Sequence, residues 1–388
     1  MITPTGYREL RKMRESRDVG PRGVLLHFRD ALKSGDIKPQ DVRLRPLFEA
    51  LVPNGGEAVQ YYNPANVGSY NLMEDAGAVD SSLFSNTSGL LVTTAALQGY
   101  DQPELLSSRL APARPTQKKF ERIAGVSQIG DEASIVGEGQ PFPQAGVSET
   151  YVDTPITTKR GMIVSLTKEA IFHDETGELL TRAAEVGEMA AINKEKRVLD
   201  VVTGQTNPYK RNGTATDTYL SSGAYTNIAS SNALQTWEDI QAAELLFEDM
   251  TDPETGEPIV ITPNVMLVPG ALRHAAMRLT GAINISQDLG AVSNTNFMVR
   301  TVSPNPIAGP YEVLTNAWVK ARTSSASTWF IGQPNKAFAY NENWPITVVQ
   351  AMSNSEVEFT HDIQNRWKVS EKGVAIVLDP RYMVESTA

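Results

Sequence analysis

Residues 125–204 read GVSQIGDEASIVGEGQPFPQAGVSETYVDTPITTKRGMIVSLTKEAIFHDETGELLTRAAEVGEMAAINKEKRVLDVVTG, and this stretch decides the fold. Its first part, Gly125–Thr158, is an arm punctuated by Gly and Pro. Two strand-like runs, Ile129–Val136 and Glu149–Ile156, flank a long turn at Gly137–Gly146, the pattern of a β-hairpin. The arm carries five acids (Asp131, Glu132, Glu138, Glu149, Asp153) and no Lys, Arg or His. It has too few large apolar residues for a core of its own, and an isolated hairpin is marginal in water. With ~14 residues a side at ~3.3 Å each it reaches roughly 45 Å when extended. Such a segment lies on something else. The chain therefore reads as a subunit that grips its neighbours rather than as an enzyme built around a pocket.

The second part of the stretch anchors the arm. Arg160–Lys168 (RGMIVSLTK) reads as a strand entering a core, and a long helix follows over roughly 176–203. Glu175 and Glu178 at its start and Lys194, Lys196 and Arg197 further along complement the helix dipole, and Gly204 supplies a left-handed cap. Ala183, Ala184, Gly187, Ala190 and Ala191 keep its middle narrow, which permits close packing.

Upstream, Tyr7–Arg17 and Val24–Lys33 read as amphipathic helices, the first interrupted by Gly20-Pro21 and the second ended by Ser34-Gly35. Residues 52–80 are rich in Pro, Gly and Asn and read as an extended connector. Residues 81–110 read as helix. Downstream, 205–235 reads as loop. Thr236-Trp-Glu-Asp239 resembles a capping box that opens a helix through Phe247. Asp252–Pro258 reads as a turn, Val265–Val268 as a buried strand, and Pro269 as the start of another helix. Strand-type runs follow at Tyr311–Leu314, Ser327–Ile331, Ile346–Gln350, Val357–Thr360 and Val374–Leu378. The class is α+β, with strands drawn from distant parts of the chain.

Composition narrows the function. The 388 residues are 41% hydrophobic and 21% charged, ordinary for a globular protein. No apolar run approaches the ~20 residues that span a bilayer, and the first residues lack the apolar core of a signal peptide. A cytoplasm-like compartment is expected. The absence of Cys excludes disulfides, thiolate catalysis and Cys-ligated zinc. Net charge is −10, unevenly spread: residues 1–46 hold eleven Lys/Arg against six Asp/Glu, a balance of +5 that leaves −15 for the remainder. An acidic body repels free nucleic acid. The basic tail suits either nucleic acid or acidic protein surface, and the second is favoured because no base-reading motif accompanies it.

No catalytic constellation emerges. His27, His173, His274 and His361 lack partners at ligand spacing, and His173-Asp174 reads as a local cap or surface pair, so no metal site is expected. There is no G-x-S-x-G, Walker A loop or H-E-x-x-H. Gly137-Glu-Gly139 is turn chemistry without a following helix, and Asp252-Pro-Glu-Thr-Gly-Glu lacks the ligand order of a calcium loop. On an acidic surface Asp131 or Glu138 alone does not mark an active site. Trp237, Trp318, Trp329, Trp344 and Trp367 read as packing residues.

The order of parts is nevertheless specific. The runs ARPTQKKFERIAGVSQIGDEASIVGEGQPFP (113–143), TPITTKRGMIVSLTKEAIFHDETGELLTRAAEVGE (154–188), NKEKRVLDVVTG (193–204), WEDIQAAELLFEDMTDPETGEPI (237–259) and RWKVSEKGVAIVLDPRYMVEST (366–387) resemble a tailed-phage major capsid protein of the Hong Kong 97-type fold. The closer resemblance is to the Mu-like prophage major head subunit family. It covers most of residues 80–388 and little of 1–75.

The resemblance implies an N-terminal extension (1–75), an N-arm (76–124) and an E-loop (125–159) that lies over the adjacent subunit. It further implies a peripheral domain (160–235) with spine helix 176–203, an axial domain (236–344) and returning peripheral-domain strands (345–388). Asp131, Ile135, Val136, Glu138 and Phe142 on the arm, and Lys194, Lys196 and Arg197 on the spine helix, become the expected inter-subunit contacts, with the basic N-terminus as a second receiver for the acidic arm. Implied partners are further copies in hexamers and pentamers, a portal, a scaffold or maturation protease, packaged double-stranded DNA and, as a further candidate, a decoration protein; no membrane, cofactor, metal or catalytic residue is implied. The setting is the virion capsid, assembled in the host bacterial cytoplasm. Some relatives cross-link through an E-loop Lys, and the Lys-free arm implies no such bond here. Others lose an N-terminal segment to a protease; retention of the basic N-terminus implies no cleavage or an immature state. Residues 1–50 are expected to act as a clasp or built-in scaffold on an otherwise folded subunit. Two alternatives stand: an encapsulin-like compartment of the same fold, and a soluble enzyme with an unrecognised carboxylate site.

Overall fold

The computed structural model describes residues 4–15, 20–51, 78–101, 105–124, 135–142, 150–167, 178–223, 225–252, 256–282, 284–291, 298–305, 311–351 and 363–388. The chain divides into two compact units: Met1–Glu104, Lys159–Asn193 and Trp344–Lys372 form the first, and Leu105–Thr158, Lys194–Asn343 and Gly373–Ala388 the second. The longer helices are α1 (Pro4–Glu15), α2 (Gly20–Ser34), α3 (Leu44–Leu51), α4 (Ala78–Asp101), α5 (Glu178–Val202), α6 (Trp237–Glu248), α7 (Arg273–Gly281) and α8 (Ala317–Thr323). The strands are β1 (Ala113–Pro115), β2 (Arg122–Ala124), β3 (Tyr151–Asp153), β4 (Thr158–Thr167), β5 (Lys210–Arg211), β6 (Thr214–Ala215), β7 (Ile228–Ala229), β8 (Val265–Val268), β9 (Asn284–Ala291), β10 (Met298–Pro304), β11 (Glu312–Thr315), β12 (Trp329–Gly332), β13 (Phe338–Gln350), β14 (Ile363–Val377) and β15 (Met383–Ser386). The chain passes between the units within α5, β13 and β14.

In the first unit the N-terminal helices close a core. Val24, Phe28 and Leu32 recur at helical spacing on α2, and Leu44, Leu47, Phe48 and Leu51 do so on α3. They bury against Leu91, Val92 and Ala95 of α4, Leu180 and Ala183 of α5, and Trp367 of β14. The Tyr7 hydroxyl of α1 accepts the Arg43 N–H at 2.9 Å and so ties α1 to the approach of α3. Gly20-Pro21, read as a break, is instead the first turn of α2, because a proline's missing N–H has no partner there to lose. Helix α3 falls in the stretch 1–50 that reads as helical pieces, though the sequence does not bound it there; its Pro46 also lies in a first turn, where proline is tolerated.

The small residues of α5 find their partner in α4. A Cβ added to Gly187 would lie 1.9 Å from the Ala96 carbonyl oxygen, and one added to Gly99 would lie 2.0 Å from that of Ala184. The two backbones are in direct contact at both glycines. Strand β4 is held as closely: a Cβ on Gly161 would lie 2.4 Å from the Val369 carbonyl oxygen of β14. It is an end strand of the sheet ordered β1-β13-β14-β4.

The second unit is built on a five-stranded sheet ordered β11-β8-β12-β15-β7. Side chains alternate across it, as the pleat requires. Met266, Val268, Trp329, Ile331 and Val384 face Ile240, Ala243 and Phe247 of α6 and Ala276 of α7. Leu267, Leu314, Phe330 and Met383 pack with Val198, Leu199 and Val202 from the end of α5. The capping box is present, with Asp239 accepting the Thr236 N–H at 2.7 Å. Gly204 takes the left-handed conformation expected after α5 (φ 70°). Pro269 opens a turn, closed by the Leu272 N–H on its carbonyl at 2.9 Å, and the helix itself starts only at Arg273.

The hairpin differs from its expected register. Pairing occurs at the base of the arm, where Arg122↔Asp153, Ile123↔Val152 and Ala124↔Tyr151 are antiparallel neighbours. Residues 129–134 lie outside the described set, as do 143–149 and the expected strand Val357–Thr360. Ile135 and Val136 are not in a strand. Side chains account for the pairing seen: Arg122 bridges Asp153 at 2.9 Å and lies 4.6 Å from the centre of the Tyr151 ring, while Val152 enters the core of the second unit. The antiparallel pair β9–β10 was missed because its first strand, NISQDLGA, has too little apolar alternation to stand out from loop.

Candidate inter-subunit surface

At the arm's far end Gly137–Gln140 forms a tight turn. The Gln140 N–H donates to the Gly137 carbonyl at 3.0 Å, and Gly139 sits in the left-handed region (φ 80°), which suits glycine at the third position of a turn. The turn displays Ile135 and Phe142, 103% and 82% exposed, beside the exposed Glu138; Val136 is half-buried. Burying a residue of this kind is worth about 1.5–3 kcal/mol, and none of that is realised for Ile135 in the single chain. Asp131, the remaining arm residue expected at the contact, lies outside the described residues.

The cations expected on the spine helix are each engaged within their own unit. Lys194 Nζ is 3.3 Å from Glu342 Oε1, both side chains being mostly buried, and lies 4.4 Å from the Tyr340 ring centre. Lys196 lies 4.1 Å from the Trp318 ring centre. The Arg197 guanidinium donates to the Tyr340 hydroxyl at 3.2 Å. Charges over aromatic faces and in a partly desolvated ion pair fix the end of α5 against β13 and α8.

Between these cations sits Glu195, fully buried. Its carboxylate accepts the Leu106 and Ser107 N–H groups at 3.1 and 2.7 Å and the Asn316 side-chain amide at 2.9 Å. It thereby satisfies the free N–H groups where the short helix Ser107–Leu110 begins. Burial pushes its pKa above the usual carboxylate range, and the backbone donors oppose that shift without cancelling it. The sequence reading named Lys194, Lys196 and Arg197 and did not single out Glu195 between them. The signal was present: Ala191, Glu195, Val198, Leu199 and Val202 fall on one helical face, and all are buried.

Elsewhere Arg322 grips Asp200 with both arms of its guanidinium, and Arg381 does the same to Asp379 at 2.7 and 2.9 Å. Trp329 and Trp367 are core residues. Among the described residues no group of three or more His, Cys, Asp or Glu could hold a metal ion, and no helix is long and apolar enough to cross a membrane.

The spine-helix cations and the buried acid thus have structural partners within the chain, and no catalytic cluster accompanies them among the described residues, which suits a structural protein. Residues 151–386, more than half of the chain, match the phage capsid protein family, and the chain belongs to that family. Its mixed helices and sheets are of the α+β class expected from the sequence, and the family makes it a phage capsid protein. Membership implies a structural, non-enzymatic protein that assembles into multi-subunit shells of a virion.

Solved structures resemble it distantly. The capsid of cyanophage P-SCSP1u is 11% identical over 72% of this chain and 86% of its own, with a TM-score of 0.44. The virus-like particle of Pyrococcus furiosus is 10% identical over 76% and 97%, with a TM-score of 0.40. The holo-SrpI encapsulin complex of Synechococcus elongatus PCC 7942 is 11% identical over 72% and 85%, again at 0.40. A comparison with curated proteins returned no match.

Proposed function

We propose that this chain is the major head subunit of a tailed phage, of Hong Kong 97-type architecture and of the Mu-like prophage kind, forming the hexamers and pentamers of an icosahedral shell around double-stranded DNA. The observations that carry this reading are the match of residues 151–386 to the phage capsid family and the exposed Ile135 and Phe142 at the arm tip, which belong to no core cluster among the described residues. A shell subunit makes several modest contacts at once, and closed geometry turns them into a stable assembly. The proposed parts are an N-terminal extension (1–75), N-arm (76–124), E-loop (125–159), peripheral domain (160–235 with 345–388) and axial domain (236–344). The proposed contacts are Asp131, Ile135, Val136, Glu138 and Phe142 on the arm. Lys194, Lys196 and Arg197 are proposed with them, each half-buried beside its partner within the unit. Portal, scaffold or protease partners and assembly in the bacterial cytoplasm belong to the same reading.

Electron microscopy of the purified, expressed protein tests it, followed by nuclease treatment of particles recovered from producing cells. Closed shells that protect long double-stranded DNA are expected. Shells filled with a cargo protein and free of DNA would replace this reading with an encapsulin-like one. A monomer that never assembles with co-expressed head proteins would sink both.

A further inference from the structure

Strand β5 turns into β6 through two residues, Asn212 and Gly213, with Arg211 and Thr214 paired across the loop. Both have positive φ, 50° and 79°, as a type I′ hairpin turn requires, and both are exposed. The same dipeptide carries chemistry. Glycine has no side chain, so the approach of its own nitrogen to the asparagine side-chain carbon is unobstructed. Three groups decide whether that attack proceeds, and each is arranged for it. The electrophile is the Asn212 side-chain carbonyl, whose Oδ1 accepts the Tyr151 N–H at 3.0 Å. That donor stands where negative charge develops when the carbon is attacked. The leaving group is Nδ2 of Asn212, which makes no hydrogen bond among the described residues. The nucleophile is the Gly213 nitrogen, whose N–H likewise donates to nothing among them. A type I′ turn points the Asn212–Gly213 peptide away from the side chain, so attack requires that peptide plane to rotate. Space for the rotation exists: the nearest atom that a Cβ on Gly213 would meet is the Tyr151 hydroxyl oxygen at 3.9 Å. The cations Lys210 and Arg211 precede the pair and favour loss of the amide proton.

We infer that Asn212 is a site of spontaneous deamidation in the folded chain, and that the reaction loosens the base of the arm. The Gly213 nitrogen gives up its proton and bonds to Asn212 Cγ. The Cγ–Nδ2 bond breaks, ammonia leaves with that proton, and a cyclic succinimide remains. Water then opens the ring at one carbonyl or the other, which leaves aspartate or isoaspartate; no oxidant, reductant or enzyme takes part. The two products differ in consequence. Asn212 brackets Tyr151 from two sides, donating its N–H to the Tyr151 carbonyl at 3.0 Å while its side chain accepts the Tyr151 N–H. Tyr151 opens β3, the return leg of the arm, and the pairing of Val152 with Arg211 lies beside the bracket. Aspartate keeps the bracket and gives it a charged acceptor. Isoaspartate routes the main chain through the former side chain, lengthens it by a carbon and breaks the bracket. The inference stands on this hairpin alone and does not depend on the shell-subunit reading.

The test is incubation of the purified full chain at neutral and mildly alkaline pH, followed by proteolysis and mass spectrometry. Peptides that contain residue 212 are expected to gain, progressively and faster at the higher pH, the mass of O in place of NH. Part of the product should accept methyl groups from a methyltransferase specific for isoaspartate. Asn207, Asn232 and Asn343, none of them followed by glycine, should stay intact. The sequence holds one other Asn-Gly pair, Asn54-Gly55, which calibrates the conditions. Incubation that converts Asn54 while Asn212 stays unchanged in the folded chain would overturn the inference, as would conversion of Asn212 in urea alone. Hydrogen exchange reads the consequence. The Tyr151 and Val152 amides should exchange faster in the isoaspartate-containing fraction than in fresh protein, and at the wild-type rate in Asn212→Asp. Equal exchange in the isoaspartate fraction and in fresh protein would show that the bracket does not hold the arm's base.

Discussion

At the scale of residues, Glu195 shows how a charge that looks superficial holds an interior together. Its three donors come from two segments far apart in sequence. Removing the carboxylate strands two backbone N–H groups in a buried setting, where an unsatisfied donor costs about 1–3 kcal/mol. Glu195→Ala is therefore expected to destabilise the unassembled subunit by about 3 kcal/mol in chemical denaturation. The pH dependence has a definite sign. Because the folded state raises the pKa of Glu195 above its unfolded value, it binds the proton more readily than the unfolded chain does. This group's contribution is present in full below the ordinary carboxylate pKa and is lost as pH rises through the elevated one. Glu195→Gln should remove that slope, so the stability advantage of wild type over Gln should shrink as pH rises. A difference that is constant across the range would show that the carboxylate does not titrate as described.

At the scale of elements, the contact between α4 and α5 is the most demanding. A side chain at Gly187 or Gly99 meets a carbonyl group of the facing helix, not the yielding end of a side chain. Gly187→Val must drive the helices apart, and overpacking of this kind costs about 1–3 kcal/mol or more. Loss of soluble subunit, or a large fall in melting temperature, is expected. Gly281→Ala, where nothing lies within 4 Å, serves as the control and should behave as wild type. If Gly187→Val matches that control, the backbone contact is not as tight as drawn. This element also marks what the sequence made legible. The run from Ala183 to Ala191 announces a helix that something approaches closely, but helical period alone does not say what. Its partner carries Gly99 at the end of a helix with nearly uniform hydropathy, so no stripe singled that glycine out. Strands behave likewise. Val265–Val268 was readable because all four residues are apolar and buried. The β9–β10 pair was not, since backbone hydrogen bonds unite it and its side chains carry little pattern.

At the scale of the whole molecule, the N-terminal helices change meaning. As sequence they read as a basic clasp on an otherwise complete subunit. In the fold, Leu10, Phe28, Leu47, Phe48 and Leu51 share one core with Leu91, Leu180 and Trp367. Deleting residues 1–51 uncovers that core, and the product is expected to be insoluble or aggregated in analytical sedimentation. A soluble, folded, assembling subunit from this deletion would show the helices to be dispensable. Of the proposed contact surface, the arm was the more legible part. The arm's composition suggests a segment that needs a surface to lie on, and Ile135 and Phe142 are exposed in the single chain. A sequence counts charges without revealing which of them already have partners inside the fold. Lys194, Lys196 and Arg197 looked available until Glu342, Trp318 and Tyr340 came alongside them.

Strand β15 lies between β12 and β7, pairing antiparallel to one and parallel to the other. Asn227 reinforces it by donating to the carbonyls of Pro380 and Met383 at 3.1 Å each. Every other strand of that sheet is synthesised before it. A nascent chain still attached to the ribosome near this point, or one stopped early by a nonsense codon, holds an open slot in the middle of its main sheet. A chain stopped before Met383 thus leaves β12 and β7 without the strand that joins them, and is expected to be less stable than the chain that carries it.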